Sequence, residues 1–546
     1  MSRREALWTA LGLFLVALLV RAVFAAQIVF PKPEDTAYYF GVARNMLEGR
    51  GLVSDALWSY ATPPLVFPRP AFEVWLPLPA FLAAVPMALL GHTFAAAQVS
   101  SVVVGAVVPV LAWGLARDVA TERRLPLDRA RWVALGVGLT CAVYLPLVLN
   151  SALPDSTMPF TVIVLAACML MTRIVHSPDG ARPVDLRLIA LGILFGLGAL
   201  TRNETAWLAL IWVVLAWRSI KEPRVVRARA IGVVAIVALI VFAPWGYRNL
   251  QEFGSPLPGQ AISNALYLSG FDIFAWNDPP TLARHLALGP AGLVNLRLMG
   301  LGHNLFNVLI LLGMPISLLG IVALPWHARP FAIRPLVALS AIMFLVTSLV
   351  FPAATQWGTF LHAAGPVHVL IVLSAVLGID ALIARLGRRM GWTKQVTWVG
   401  AVGSVAACLL FSVALLPSFG SGSEATMARY QELGPRMAEA GHPVDEPGIR
   451  LMSNFPIWVA ESLRVPTLAL PDEPPADVLD LVSRFPDARY LILSDPEGKH
   501  WPADLQAGMP GSDCFTPLTL APYRGTGEDP LDTTTVYEIA CPGGAP

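Results

Sequence analysis

Long apolar runs recur along the chain with only short polar breaks between most of them. They cover 6–30, 93–117, 131–150, 157–175, 187–201, 205–218, 230–246, 302–325, 335–352, 359–384 and 395–417. Crossing about 30 Å of hydrocarbon takes roughly 20 residues of helix, fewer where a helix packs inside a bundle. The pattern therefore predicts eleven membrane helices. A further stretch, "FEVWLPLPAFLAAVPMALLG" at 72–91, is apolar enough to span but carries Pro77, Pro79 and Pro86, with Pro70 flanking it. Those prolines are poor material for a straight lipid-exposed helix, so the stretch is read as juxtamembrane or re-entrant. Beyond 417 the pattern changes: "IRLMSN" and "ARYLILSD" read as buried strands and "PADVLDLVSRF" as an amphipathic helix between them. The expected division is a transmembrane domain at 1–417 and a small soluble α/β domain at 418–546.

Composition agrees with a polytopic membrane protein. Hydrophobic residues make up 55% of the 546 and charged residues 14%, where soluble domains carry about a quarter charged; mean hydropathy is +0.62. A net charge of +1 gives no electrostatic case for nucleic acid. Arg3 and Arg4 ahead of an apolar core, with Ala25 and Ala26 after it, resemble a cleaved signal, but the core continues to Phe30 and more spans follow. The run is read as a retained first helix.

Loop charges set the topology. Arg and Lys are enriched in short cytoplasmic loops, and with Arg3 and Arg4 inside, "ARDVATERRLPLDRAR", "RIVHSPDGARPVDLR", "RSIKEPRVVRAR", "WHARPFAIR" and "RLGRRMGWTK" all fall inside as well. The outer side then receives 31–92, turns near 151–156, 202–204 and 353–358, a long loop at 247–301, and the tail. Cys141, Cys168 and Cys408 lie in apolar runs and read as packing residues. Cys514 and Cys541 bracket part of the tail and are expected to form a disulfide in an oxidising compartment. Compact loops and an Ala-, Leu- and Val-rich composition point to a bacterial inner membrane, with the N-terminus cytoplasmic and the tail extracytoplasmic.

That topology gathers acids and bases on one face. They are Glu34 and Asp35 in "PEDTAYYF", Arg69 and Glu73 in "FPRPAFEVW", Asp155 in "LPDSTMPF", Arg202 and Glu204 in "LTRNET", and Arg248 in "PWGYRN". A carboxylate can take a proton from an acceptor hydroxyl, and Arg forks suit a departing phosphate. The combination fits glycosyl transfer from a lipid phosphate, whose tail stays in the membrane.

In order and spacing, "EDTAYYFGVARNMLEGRGL", "PRPAFEVW", "LPDSTMPF", "GLGALTRNET" and "PWGYRNLQEFGSP" resemble the GT-C superfamily over roughly the first 260 residues. Protein O-mannosyltransferases and lipid A aminoarabinose transferases are the types they resemble most. The resemblance implies a GT-C fold with juxtamembrane helices in the first external loop. It implies an inverting transfer from a polyprenyl-phosphate sugar to a glycan, lipid or protein acceptor. By motif position, Asp35 matches the acceptor-activating base and Asp155 the acid of the second external loop, while Arg69 and Arg202 match donor-phosphate positions. Arg202 stands where relatives often have Lys. The external loops lack a DxD motif, so no obligatory metal is expected, and metal dependence stays open. The tail does not resemble MIR domains, which weakens the case for protein as acceptor.

Each residue also has a plainer reading. Glu34 and Asp35 could simply terminate a helix in water, and Tyr38 and Tyr39 suit an interfacial aromatic belt as well as a substrate cavity. Asp155 suits an N-cap, with Pro159 in the first turn; Arg202 and Glu204 suit a structural ion pair. Arg248 is either a helix C-terminal cation or a donor-phosphate contact. His362 either packs or lines the cavity. Arg21, inside the first helix, either snorkels to the outer interface or faces the cavity. Two other functions compete. A transporter or flippase of lipid-linked sugars predicts inverted repeats and mid-membrane charges, and a non-catalytic assembly subunit predicts that Asp35→Asn is silent.

Overall fold

The first apolar run is the helix Arg3–Ala25, started by a capping box in which the Ser2 hydroxyl accepts the Glu5 N–H and the Glu5 carboxylate accepts the Ser2 N–H. In this computed structural model the described residues are 2–176, 185–259, 261–392, 396–496 and 499–541. Parts of the basic loops "RIVHSPDGARPVDLR" and "RLGRRMGWTK" lie outside them. Among the described residues seven helices are long and apolar enough to cross a membrane: Arg3–Ala25, Phe94–Glu122, Thr157–His176, Arg224–Phe253, Phe331–Leu349, Gly365–Arg389 and Thr397–Glu439. An eighth span is a bent pair, Leu127–Val143 and Leu145–Ser151, meeting at 50°. Leu186–Ala199, Thr205–Ser219 and Ser317–His327 are apolar but shorter, as is Leu78–Leu90 in the proline-rich stretch.

The chain folds as two units. The first comprises 1–27, 75–248 and 297–418, and the second 28–74, 249–296 and 419–546.

In the first unit the bend has a chemical cause and a chemical remedy. Pro146 lacks an N–H, and Tyr144 is extended at φ −75° and ψ 122°, so carbonyls just before the bend lose their helical partners. In hydrocarbon such groups need partners within the protein. Arg21 supplies them: Nη1 donates to the Ala142 carbonyl (3.0 Å), Nη2 to the Cys141 carbonyl (3.2 Å) and Nε to the Ser151 hydroxyl (3.0 Å). Ser412 Oγ donates to the Val143 carbonyl at 2.7 Å. Gly105 makes the approach possible, since a Cβ there would stand 2.2 Å from Ser151 Oγ. Fully buried, Arg21 neither snorkels nor faces open space. The 302–325 run also differs from a single helix: 303–311 is a π-helix, and the α-helix resumes at Ser317 after Pro315.

The second unit is built on a sheet. Its strands are β1 (Val53–Ser54), β2 (Ala56–Leu57), β3 (Arg69–Pro70), β4 (Arg450–Ser453), β5 (Thr467–Ala469), β6 (Ala488–Ser494), β7 (Phe515–Pro517) and β8 (Thr534–Ile539). β1 pairs only with β3; the others form one sheet in the order β2-β5-β4-β6-β8-β7. The β2/β5, β4/β5 and β4/β6 pairs are parallel, and β6/β8 and β7/β8 antiparallel. The strands read from "IRLMSN" and "ARYLILSD" are β4 and β6, and the helix between them is Pro475–Arg484, whose Val478, Leu481 and Val482 pack with Met452, Leu468 and Leu491. Residues 28–74 contribute more than juxtamembrane helix: besides Glu34–Leu47 they supply β2, a strand the sequence pattern did not announce.

Cys514 and Cys541 are bonded, joining the start of β7 to the end of β8. The bridge closes a separation of 27 residues, for which chain entropy gives about 3–4 kcal/mol. Replacing both cysteines by Ser in the full-length protein is expected to remove that stabilisation. Hydrogen exchange of β7 and β8 should speed up in the variant, and reductant should reproduce the change in wild type while leaving the variant unaffected.

Candidate functional site

Three connections of the first unit converge. Asp155 lies just before helix Thr157–His176, and its Oδ1 accepts the Thr157 N–H at 2.8 Å, satisfying a first-turn donor the helix cannot bond itself. Its Oδ2 stands 3.3 Å from His362 Nδ1, and Thr157 Oγ1 is 3.3 Å from the same nitrogen. The N-cap reading of Asp155 is thus met by one carboxylate oxygen, while the other faces His362. His362 sits on the short helix Thr359–Ala363, behind Gly358 at φ +107°. A Cβ at 358 would press to 3.2 Å from the imidazole, so glycine serves both the left-handed turn and the ring.

Arg202 joins the same group. Nη2 and Nε bond the Glu204 carboxylate at 2.7 and 3.2 Å, Nη1 donates to Ser156 Oγ at 2.9 Å, and Nη2 also donates to the Thr359 carbonyl at 3.1 Å. Its guanidinium carbon lies 6.0 Å from the Phe160 ring centroid. One cation therefore ties together the loops before helices 157–176, 205–219 and 359–363. The Arg202 side chain keeps 13% of its surface exposed, so the fork is constrained without being sealed off. The Leu78 N–H donates to the Leu200 carbonyl at 2.9 Å, fastening the proline-rich stretch to the loop that carries Arg202. Arg248 stacks 5.0 Å from the centroid of Trp245 on its own helix, Arg224–Phe253.

The other expected residues fall in the second unit. Arg69 is fully buried: Nη1 and Nη2 donate to the Ser59 and Thr62 carbonyls at 2.6 and 2.7 Å, and Nε lies 3.1 Å from Glu73 Oε1. In this arrangement its fork and Glu73 hold the turn at 59–62. Tyr38 and Tyr39 are also buried, and Tyr38 Oη accepts the Phe72 N–H at 2.6 Å, steadying a bulky residue at φ 71°. Tyr38 packs edge to face against Tyr39, Trp58 and Phe72. These contacts make the two tyrosines core residues of the 28–74 segment.

Glu34 and Asp35 open helix Glu34–Leu47, both partly exposed. Glu34 Oε1 accepts the Ile457 N–H at 2.9 Å. Desolvation pushes its carboxyl up to about 8, opposed by backbone N–H donors and Lys499 and reinforced by the neighbouring Asp35 charge. Glu34 is thus engaged with the tail of its own unit, and burial raises its carboxyl above the usual carboxylate range.

Ser156 and Thr359 were not singled out from sequence, although "LPDSTMPF" contains the first; Thr359 contributes only a backbone carbonyl, which leaves no residue-type signal. Among the described residues no group of three or more His, Cys, Asp or Glu is placed to hold a metal ion.

The family model for dolichyl-phosphate-mannose-protein mannosyltransferase matches residues 69–247, a stretch that includes Asp155, Arg202 and Glu204. The chain is similar in structure to ArnT from Cupriavidus metallidurans bound to undecaprenyl phosphate, at 14% identity, 97% coverage of each chain and a TM-score of 0.55. It is also similar to the archaeal oligosaccharyltransferase AglB from Archaeoglobus fulgidus in complex with an inhibitory peptide and a dolichol-phosphate. There identity is 12%, coverage 99% of this chain and 77% of that chain, and the TM-score 0.55. No curated protein matches the chain by sequence. At such identities the structural likeness speaks for the fold, and the family match adds sequence character over one third of the chain. The chain is an integral membrane protein with the GT-C fold, resembling the O-mannosyltransferase and ArnT types of glycosyltransferase.

Proposed function

We propose that the protein transfers a sugar from a polyprenyl-phosphate donor to an acceptor hydroxyl or phosphate at the outer face of a bacterial inner membrane. The observation that carries the reading is the Arg202 cluster: a constrained, still accessible guanidinium held by Glu204, Ser156 and the Thr359 carbonyl beside the Asp155–His362 pair. The family match over 69–247 and the lipid phosphates named with ArnT and AglB support a lipid-linked donor.

In this reading Asp35 takes the proton from the acceptor oxygen as that oxygen attacks the anomeric carbon. The bond from that carbon to the phosphate oxygen breaks on the opposite side, and polyprenyl phosphate departs with an added negative charge. Arg202 meets that charge through its fork, which Glu204 balances before the donor arrives. Arg248 offers a second cation. Asp155 holds the start of helix 157–176 and the His362 ring in place around Arg202. Single displacement inverts the anomeric configuration and forms no glycosyl-enzyme ester.

The test is incubation of the purified full-length protein with a panel of polyprenyl-phosphate sugars, with and without chelator, scoring released lipid phosphate and the product anomer by NMR. Asp35→Asn is expected to lose roughly 10²–10⁴ in rate while folding and expressing normally. Turnover unchanged in that variant would remove Asp35 as the base, and a retained anomer would exclude single displacement.

Arg202→Ala is expected to cost roughly 10²–10³ in kcat/KM for the donor. Arg202→Lys should fall between it and wild type, because Lys restores charge without the two-pronged geometry. Equal activity of all three forms would show that Arg202 does not meet the phosphate.

A further inference from the structure

Helix Pro456–Leu463 begins with a problem of unsatisfied donors. Pro456 has no N–H and the N-cap residue Phe455 makes no side-chain cap, so Ile457 is the first residue whose N–H must find a partner outside the helix. That partner is Glu34 Oε1 at 2.9 Å, 423 residues away in sequence. Beside it Trp458 Nε1 donates to the Pro31 carbonyl at 3.1 Å, and Lys32 Nζ lies 5.7 Å from the Trp458 ring centroid. Further along, Arg44 grips Glu461 with both terminal nitrogens, Nη2 to Oε2 at 2.8 Å and Nη1 to Oε1.

The contact face on helix Glu34–Leu47 follows helical spacing. Glu34, Ala37, Gly41 and Arg44 recur at intervals of three and four, which places them on one stripe. The stripe has charged ends and a small-residue middle. Closeness in the middle is real, since a Cβ at Gly41 would stand 2.5 Å from Glu461 Oε2. Asp35 lies about 100° round the helix from Glu34 and so off that stripe.

We infer that helix Pro456–Leu463 is the positioning element for the helix that carries Asp35, clamped to it at Glu34–Ile457 and at Arg44–Glu461, and that Glu34 is a positioning residue for sugar transfer rather than its acid or base. The inference rests on the reading of Asp35 as base. Glu34 Oε1 accepts the Ile457 N–H, and the amide oxygen of a Gln in its place can do the same.

The test uses the full-length protein in detergent and pairs hydrogen exchange of 34–47 and 456–463 with steady-state transfer. Glu34→Ala is expected to speed exchange at the start of helix 456–463 about tenfold, the equivalent of one hydrogen bond. Its kcat should fall by up to roughly a hundredfold through misplacement, with the donor KM nearly unchanged. Glu34→Gln should restore protection and kcat and leave the acid limb of the pH–rate profile where it is in wild type. Arg44→Glu should weaken both readouts, and Arg44→Glu combined with Glu461→Arg should recover them, which covers the case in which Glu34→Ala fails to fold. Unchanged exchange in Glu34→Ala overturns the clamp. Full kcat despite faster exchange overturns its role in transfer, and Glu34→Gln as inactive as Asp35→Asn makes Glu34 a chemical participant. If wild type turns over no donor, the transfer reading fails while exchange still decides the clamp.

Discussion

A carbonyl buried among apolar helices must have a donor, and the first unit has a bend where the helix cannot provide it. The bend at Tyr144 frees the carbonyls of Cys141, Ala142 and Val143, and Arg21 and Ser412 answer them. An arginine buried in a first transmembrane helix is expensive, and here the expense is offset by backbone groups that would otherwise stand unbonded. The consequence reaches the next loop. The bent span ends at Ser151, Gln98 Nε2 fixes the Ala152 carbonyl at 2.9 Å, and the chain then presents Asp155. Asp155, 3.3 Å from His362, thus follows closely on a broken helix whose break is closed from within the unit.

Buried arginines in this protein therefore do different jobs according to what surrounds the fork. Arg21 and Arg69 are sealed and aim their terminal nitrogens at main-chain carbonyls, which gives them a part in shape. Arg202 divides its donors among a carboxylate, a hydroxyl and a carbonyl, and keeps some exposure. Residue type alone does not separate these cases; both Arg69 and Arg202 sit in motifs of similar appearance.

What the sequence made legible follows from cost. Apolar runs of helical length are visible because lipid tolerates little else, and the eleven runs fall mainly on helix: 187–201 and 205–218 as short helices, 131–150 as a bent pair, 302–325 interrupted around Pro315 and 359–384 broken at Ala364. Charges at helix ends were visible for the same reason, and Asp155, Arg202, Glu204 and His362 do meet. Three things were not legible. β2 is two residues long and carries no alternation. The Arg44–Glu461 pair joins positions 417 residues apart, each unremarkable in its own helix. The burial of Tyr38 and Tyr39 depends on Phe72 and Trp58, which periodicity cannot place.

The two-residue strand β2 has an effect out of proportion to its length. It covers β5, which would otherwise be the open parallel edge of a sheet whose neighbouring positions are apolar, and open edges invite pairing between molecules. The covering strand lies in 28–74 and its partner in 419–546, so the ribosome makes the cover long before the edge. Its closure joins residues 56–57 to 467–468, the kind of long-range parallel pairing that is intrinsically slow to form. Two residues from the front of the chain thus complete the edge of a sheet whose other strands all come from its tail.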